Sequence, residues 1–198
     1  MTVDTAILDA LRGGLVVSCQ PVQGGPLDRP EIAVAMAEAA VQAGANGVRL
    51  EGVAAVSAAA RSLAVPIIGI VKRDLADYPV RITPLEADVE QLAAAGLAMA
   101  DCSALEEGLA AAETGFEIVG STLSGYTGGP VPDAPDFELV ERMAAQGLTV
   151  MAEGRIRTPA EAAAALSRGA WAVTVGSAIT RVEHVTGWFV EAIEAAAP

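Results

Sequence analysis

Five times along this chain an alanine-rich helical run ends in glycine and is followed at once by a short apolar run. Gly44, Gly96, Gly115, Gly147 and Gly169 mark the joints. A helix often ends on a residue in the left-handed conformation, which glycine adopts most cheaply. A short buried run after such a joint is the mark of a strand wrapped by crossover helices, so the alternation predicts parallel strands. The expected strands are Gly14 to Ser18, Gly47 to Leu50, Ile67 to Val71, Leu97 to Ala100, Glu117 to Gly120, Thr149 to Ala152 and Ala172 to Val175. The expected helices are Pro30 to Ala43, Val53 to Leu63, Leu85 to Ala95, Ala104 to Glu113, Asp136 to Gln146, Pro159 to Arg168 and Val182 to Ala196. Thr158-Pro159 supplies a cap followed by proline at the first helical position.

Parallel strands can close into a barrel or spread as an open, doubly wound sheet, and periodicity does not separate the two. The polar residues do. Gln20, Arg49, Lys72, Asp101 and Glu153 fall at or near the carboxyl ends of different strands. In a barrel these ends converge on one mouth, whereas in an open sheet they spread along an edge. The expectation is therefore an α/β fold, a TIM-type (β/α) barrel, and 198 residues suit one such domain over residues 1–198 better than two.

Charge and length narrow the partners. Asp and Glu outnumber Lys and Arg 25 to 12, giving a net charge of -13. With no cluster of basic residues, nucleic acid is not an expected partner. The apolar runs, such as Val65 to Val71 and Ala170 to Val175, fall far short of the roughly 20 residues of a membrane span. The N-terminal stretch carries Asp4 and Asp9 in a helix-like pattern, unlike a secretory signal. Two scattered cysteines, Cys19 and Cys102, do not make a disulfide framework, and a cytoplasmic, reduced protein is expected. The sole histidine, His184, and those cysteines lack zinc-site spacing, so no metal is expected. Trp188-Phe189 in the last helix and the alanine-rich helices leave room for a homodimer.

Lys72 is the only lysine beside eleven arginines, and it ends the run Pro66-Ile67-Ile68-Gly69-Ile70-Val71. Arginine keeps its proton in a protein, while lysine can serve as an acid/base or a Schiff-base nucleophile. The competing reading is a strand-end lysine reaching solvent or pairing with Asp74. Glu153 ends Val150-Met151-Ala152 in the same way, either as a proton-transfer partner for Lys72 or as an ion pair with Arg155 that pins a loop. Gly154-Arg155 and Gly176-Ser177 follow the last two expected strands, where barrels most often hold phosphate, although Gly176 also suits a simple turn. A phosphorylated small molecule is the expected ligand. Gln20, Arg49 and Asp101 could orient it; Asp101 equally suits a helix cap near Ser103-Ala104. The run Ser124-Gly125-Tyr126-Thr127-Gly128-Gly129-Pro130 is long enough to cover a ligand or to be a plain loop.

These residues carry a resemblance. Ser18-Cys19-Gln20, Gly69-Ile70-Val71-Lys72-Arg73-Asp74, Met99-Ala100-Asp101-Cys102-Ser103, Gly120 to Thr127, Ala152-Glu153-Gly154-Arg155 and Gly176 to Arg181 together resemble the N-acetylmannosamine-6-phosphate 2-epimerase family. The resemblance implies a phosphate-binding barrel that interconverts N-acetylmannosamine 6-phosphate and N-acetylglucosamine 6-phosphate in sialic acid breakdown, without a cofactor. It implies Lys72 as acid/base and Glu153 as partner carboxylate. Gln20, Arg49 and Asp101 match substrate-orienting positions, and Gly154, Arg155, Gly176 and Ser177 the phosphate end. Two other functions share the pattern: a lysine Schiff-base aldolase or synthase, and a sugar-phosphate binding protein without turnover.

The chain departs from that family at one place. Between Ala95 and Leu97 the family has a further strand, bearing an aspartate, and a further helix, whereas here a single glycine joins the two. Seven strands are expected in place of eight. The missing strand leaves a gap of roughly 4.8 Å, to be closed by pairing Ile67 to Val71 with Leu97 to Ala100 or left splayed as an opening.

Overall fold

The computed structural model describes residues 5–72, 99–128 and 130–196. Seven parallel strands form one sheet: β1 (Leu15–Cys19), β2 (Gly47–Glu51), β3 (Ile67–Ile70), β4 (Ala100–Asp101), β5 (Val119–Gly120), β6 (Val150–Ala152) and β7 (Ala172–Val175). The helices are α1 (Thr5–Leu11), α2 (Pro30–Gln42), α3 (Val53–Ser62), α4 (Leu105–Glu113), α5 (Phe137–Ala145), α6 (Pro159–Ser167), the single turn α7 (Ser177–Thr180) and α8 (Val182–Ala196). The expected helix over Leu85 to Ala95 and the start of the expected strand at Leu97 lie outside the described residues.

Strand order decides between barrel and open sheet. The order is β3-β2-β1-β7-β6-β5-β4, with the first strand beside the last: Val16 pairs with Thr174 and Val17 with Val175. Sequential neighbours joined through a first-to-last pairing are the arrangement of a (β/α) barrel. Among the described residues β3 and β4 end the order, and no pairing of Ile67–Ile70 with Ala100–Asp101 joins them. The sheet is a curled half-barrel.

The alternation of side chains explains the curl. Val16, Ile68, Ile118, Met151 and Ala172 pack together inside, and Leu11 from α1 plugs this floor. Their neighbours in the chain point the other way. Val17, Val48, Leu50 and Ile67 pack under α2 and α3 with Ala33, Ala37, Ala55 and Ala59. Val119, Val150, Val173 and Val175 pack under α5 and α6 with Leu139, Met143 and Ala165. Period-two alternation therefore gives every strand an inner and an outer apolar face, while alanine brings the helix backbones close. The plug sets one sequence requirement: a Cβ at Gly47 would stand 2.7 Å from Leu11 Cδ2 and 3.1 Å from the Pro66 carbonyl.

Local signals behave as their chemistry dictates. Thr158 and Glu161 form a reciprocal capping box on α6, with Pro159 in its first turn. Asp136 caps α5 by accepting from the Leu139 N–H at 2.9 Å. Gly169, at φ +95°, ends the segment after α6, and a Cβ there would lie 2.8 Å from Ala144 Cβ.

Candidate active site at the barrel mouth

Steps of two along the inner face, above the apolar floor, bring a group to the carboxyl end of each strand. Val16 is followed by Ser18 and Gln20, Gly47 by Arg49 and Glu51, and Ile70 by Lys72. Met99 is followed by Asp101, Gly120 by Thr122, Met151 by Glu153, and Ala172 by Thr174 and Gly176. All nine residues singled out from the sequence line one cavity of about 1080 Å³: Gln20, Arg49, Lys72, Asp101, Glu153, Gly154, Arg155, Gly176 and Ser177.

Arg49 and Glu153 form its centre. Their side chains are 6% and 11% exposed, and the guanidinium grips both carboxylate oxygens, Nη1 to Oε2 at 2.5 Å and Nη2 to Oε1. Such a fork-to-fork pair is directional as well as strong. Arg49 Nε also donates to Ser18 Oγ at 3.2 Å. Glu153 Oε2 accepts from Thr122 Oγ1 at 3.2 Å, and the same hydroxyl reaches Asp101 Oδ1 at 2.5 Å. The Glu153 backbone is bracketed by Ser121, whose Oγ accepts from its N–H and donates to its carbonyl. Burial pushes the Glu153 carboxyl above the usual carboxylate range; Arg49 pulls it back and Asp101 adds to the rise. For Arg49, burial works to lower the value, but the charges of Glu153 and Asp101 outweigh it and leave the guanidinium above its ordinary value.

Lys72 has a carboxylate partner of its own. Nζ donates to Glu51 Oε2 at 2.7 Å and to Gln20 Oε1 at 2.6 Å, and Gln20 Nε2 in turn donates to Ser18 Oγ at 2.7 Å. The ammonium and Glu153 are thus linked through Gln20, Ser18 and Arg49. Asp74, the partner weighed for Lys72 from the sequence, lies outside the described residues.

Two alternatives from the sequence are corrected. Glu153 does not pair with Arg155: the Arg155 side chain turns away to donate to the carbonyls of Ser124 at 2.5 Å and Ala134 at 2.7 Å, beneath the Tyr126 ring. It thereby pins the glycine-rich loop, and Ser124 Oγ adds a bond to the Asp136 cap. Nor does Asp101 cap α4, where the Ser103 N–H donates to Glu107 at 2.6 Å instead. Gly154 and Arg155 follow β6, and Gly176 and Ser177 follow the adjacent β7, so both turns share one side of the mouth. Arg155 holds φ 58°, a left-handed conformation uncommon for a residue with a side chain. The turn after Gly176 is tied to β1, with Thr180 Oγ1 donating to the Ser18 carbonyl and Arg181 Nε to the Gln20 carbonyl.

Sequence reasoning missed Ser18, Glu51, Thr122, Thr174 and Arg181. Ser18, Thr122 and Thr174 lie an even number of residues from an inward apolar residue of their own segment, and Glu51 an even number from Gly47 and Arg49. The cysteines are poor nucleophiles. Burial raises Cys19 to about 12, and burial with Glu107 and Asp101 nearby raises Cys102 to about 11. His184 is exposed on α8.

Comparison with known proteins adds an independent line. A family model described as "Putative N-acetylmannosamine-6-phosphate epimerase" matches residues 33–98 and 96–195, two stretches that overlap at residues 96–98. A Pasteurella multocida protein named "Putative N-acetylmannosamine-6-phosphate 2-epimerase" is 48% identical over 219 aligned positions, covering 96% of each chain. A Proteus mirabilis protein of the same name is 50% identical, covering 92% of this chain and 91% of its own. Among solved structures, the N-acetylmannosamine-6-phosphate 2-epimerase from Clostridium perfringens matches with TM-score 0.87 and 36% identity over 93% of this chain and 95% of that one. The deoxyribose phosphate aldolase from Aeropyrum pernix, at TM-score 0.64 and 16% identity over 94% of this chain and all of its own, shares the fold alone.

Proposed function

Because this chain belongs to the N-acetylmannosamine-6-phosphate epimerase family, we propose that its cavity interconverts N-acetylmannosamine 6-phosphate and N-acetylglucosamine 6-phosphate, with Lys72 moving the proton at C2. The observation that carries this reading is the position of the Lys72 ammonium, one hydrogen-bonded chain away from the buried Arg49–Glu153 pair in a cavity roomy enough for a sugar phosphate.

Ring opening exposes an aldehyde at C1 and makes the C2 proton acidic. As a neutral amine, Lys72 takes that proton; the C2–H electron pair becomes the C1–C2 double bond, and the carbonyl oxygen takes the negative charge. Glu51, already hydrogen-bonded to Nζ, is the carboxylate that can relieve Lys72 of its extra proton beforehand. When rotation about C2–C3 presents the other face, Lys72 returns the proton to C2 and the aldehyde reforms. No electrons leave the substrate, so the reaction needs no redox cofactor. Glu153, whose carboxyl is biased toward its protonated form by burial, shuttles a proton during ring opening or shares one with the enolate oxygen. Gln20, Arg49 and Asp101 orient the open chain, and the turns Gly154-Arg155 and Gly176-Ser177 hold the phosphate.

On this reading residues 1–198 act as one barrel domain in the cytoplasm, where the two free cysteines would stay reduced. α8, with Phe189 and Ile193 exposed, offers a face for a second copy. Among the described residues no helix is long and apolar enough to cross a membrane.

The test is proton NMR of N-acetylmannosamine 6-phosphate with the purified chain in deuterated water. Both epimers should form, each carrying deuterium at C2. Unchanged substrate would overturn the proposal.

A further inference from the structure

Thr174 sits in β7, 1% exposed, and its Oγ1 is the only buried side-chain oxygen or nitrogen without a hydrogen-bond partner among the described residues. Its neighbours Val173 and Val175 face the helices, so alternation turns Thr174 inward, where it lines the cavity between Ala172 of the apolar floor and the turn at Gly176. Its register partner on β1 is Val16, which offers no acceptor in its side chain.

Folding gives no reason for a hydroxyl here. A buried hydroxyl left unpaired is destabilising, and valine has the same shape and suits a strand at least as well. The other polar side chains of the inner face, Ser18, Arg49, Asp101, Thr122 and Glu153, are all bonded to one another. Among the described residues the buried hydroxyl of Thr174 is left with its hydrogen-bonding capacity for what fills the cavity. Lys72 follows β3, three strands away across β2 and β1, whereas Gly176 is two residues further along the same face of β7. The group over Thr174 therefore lies toward the phosphate and away from C2.

We propose that Thr174 is a substrate-binding residue whose hydroxyl bonds a hydroxyl of the open sugar between the acetamido carbon and the phosphate. This rests on the reading of the cavity as a sugar-phosphate site. The variants are Thr174→Val, which removes the hydroxyl and keeps the shape, and Thr174→Ser, which keeps the hydroxyl. Calorimetry with N-acetylmannosamine 6-phosphate reads binding apart from turnover, and thermal melts without ligand read the fold. Thr174→Val should weaken binding about 5- to 10-fold, the range of one neutral hydrogen bond, and raise the ligand-free melting temperature. Thr174→Ser should bind within about twofold of the original protein. Binding of Thr174→Val equal to that of the original protein overturns the proposal, as does a loss in Thr174→Val that Thr174→Ser shares. An original protein that binds the sugar phosphate without epimerising it sinks the catalytic reading and leaves this one standing if the variants behave as stated. No binding by the original protein sinks both.

Discussion

Arg49 and Glu153, 104 positions apart in the chain and three strands apart in the sheet, meet as a buried two-pronged ion pair at the mouth of the half-barrel. Removing either partner leaves an unpaired charge in a site that excludes most water. Arg49→Ala should cost about 3–5 kcal/mol of stability, and a double replacement of both residues by apolar side chains should recover much of it. Urea midpoints of the two single variants and the double variant check this. Additive losses would show that the pair is not the energetic unit the geometry makes it.

The raised Glu153 carboxyl has a signed consequence. A carboxyl whose folded value lies above its unfolded one, about 4.3, holds more protons in the folded state across that interval. Its contribution is therefore full below the unfolded value and is lost as pH rises through the folded one. Glu153→Gln should flatten this part of the stability profile. The measurement is the difference in urea midpoint between original protein and variant from acid to neutral pH, and a difference that does not change with pH would contradict the assignment.

Lys72→Ala should lose about 100- to 10,000-fold in epimerisation, the usual contribution of a positioned acid/base, and should lose C2 deuterium exchange to the same degree. The side chain is 21% exposed and lies outside the apolar clusters of the core, so circular dichroism and the melting temperature should change little. Retained exchange in a folded Lys72→Ala protein would move the proton transfer to another residue.

At the N-cap of α6, outside the cavity lining, Thr158→Ala should destabilise by about 1 kcal/mol through the lost capping box. Glu161 accepts from the Arg157 and Thr158 N–H groups, and these bonds lower its carboxyl below the ordinary range. Its contribution is present above the unfolded value and disappears as pH falls through the folded one. Thermal melts at neutral and acid pH should show the Glu161→Gln variant converging on the original protein in acid.

At the opposite end of the barrel, Gly47→Ala should destabilise by about 1–3 kcal/mol by driving a methyl group against the Leu11 plug. Leu11→Ala should cost about 2–5 kcal/mol as a cavity. Combined, the two should be less costly than the sum, since each relieves the other. Additive urea midpoints would show that the close approach is not felt.

Much of the fold was legible because its signals are local. Glycine joints, apolar runs and the Thr158-Pro159 cap act within a few residues, and the strand and helix positions read from them fall within one or two residues of those observed wherever residues are described. Lys72 and Glu153 stood out for a similar reason: each ends an apolar run, and the carboxyl ends of parallel strands converge. Glu51, which accepts from Lys72, and Thr174 did not stand out. Glu51 and Thr174 could have been found by counting in twos from Leu15–Cys19 and its companion strands, once the inner face of each strand was known. That Arg49 would serve Glu153, and that Arg155 would pin a loop, depends on a register that no short window contains.

The order of elements and the chemical identity of the residues at the strand ends followed from the chain alone, because apolar runs and helix termination are properties of neighbouring residues. The pairing of β1 with β7, the inward and outward faces, the partner each charge takes and the unpaired hydroxyl of Thr174 were decided only by the tertiary structure. Each depends on distances between segments up to more than one hundred residues apart, which the curl of the sheet sets.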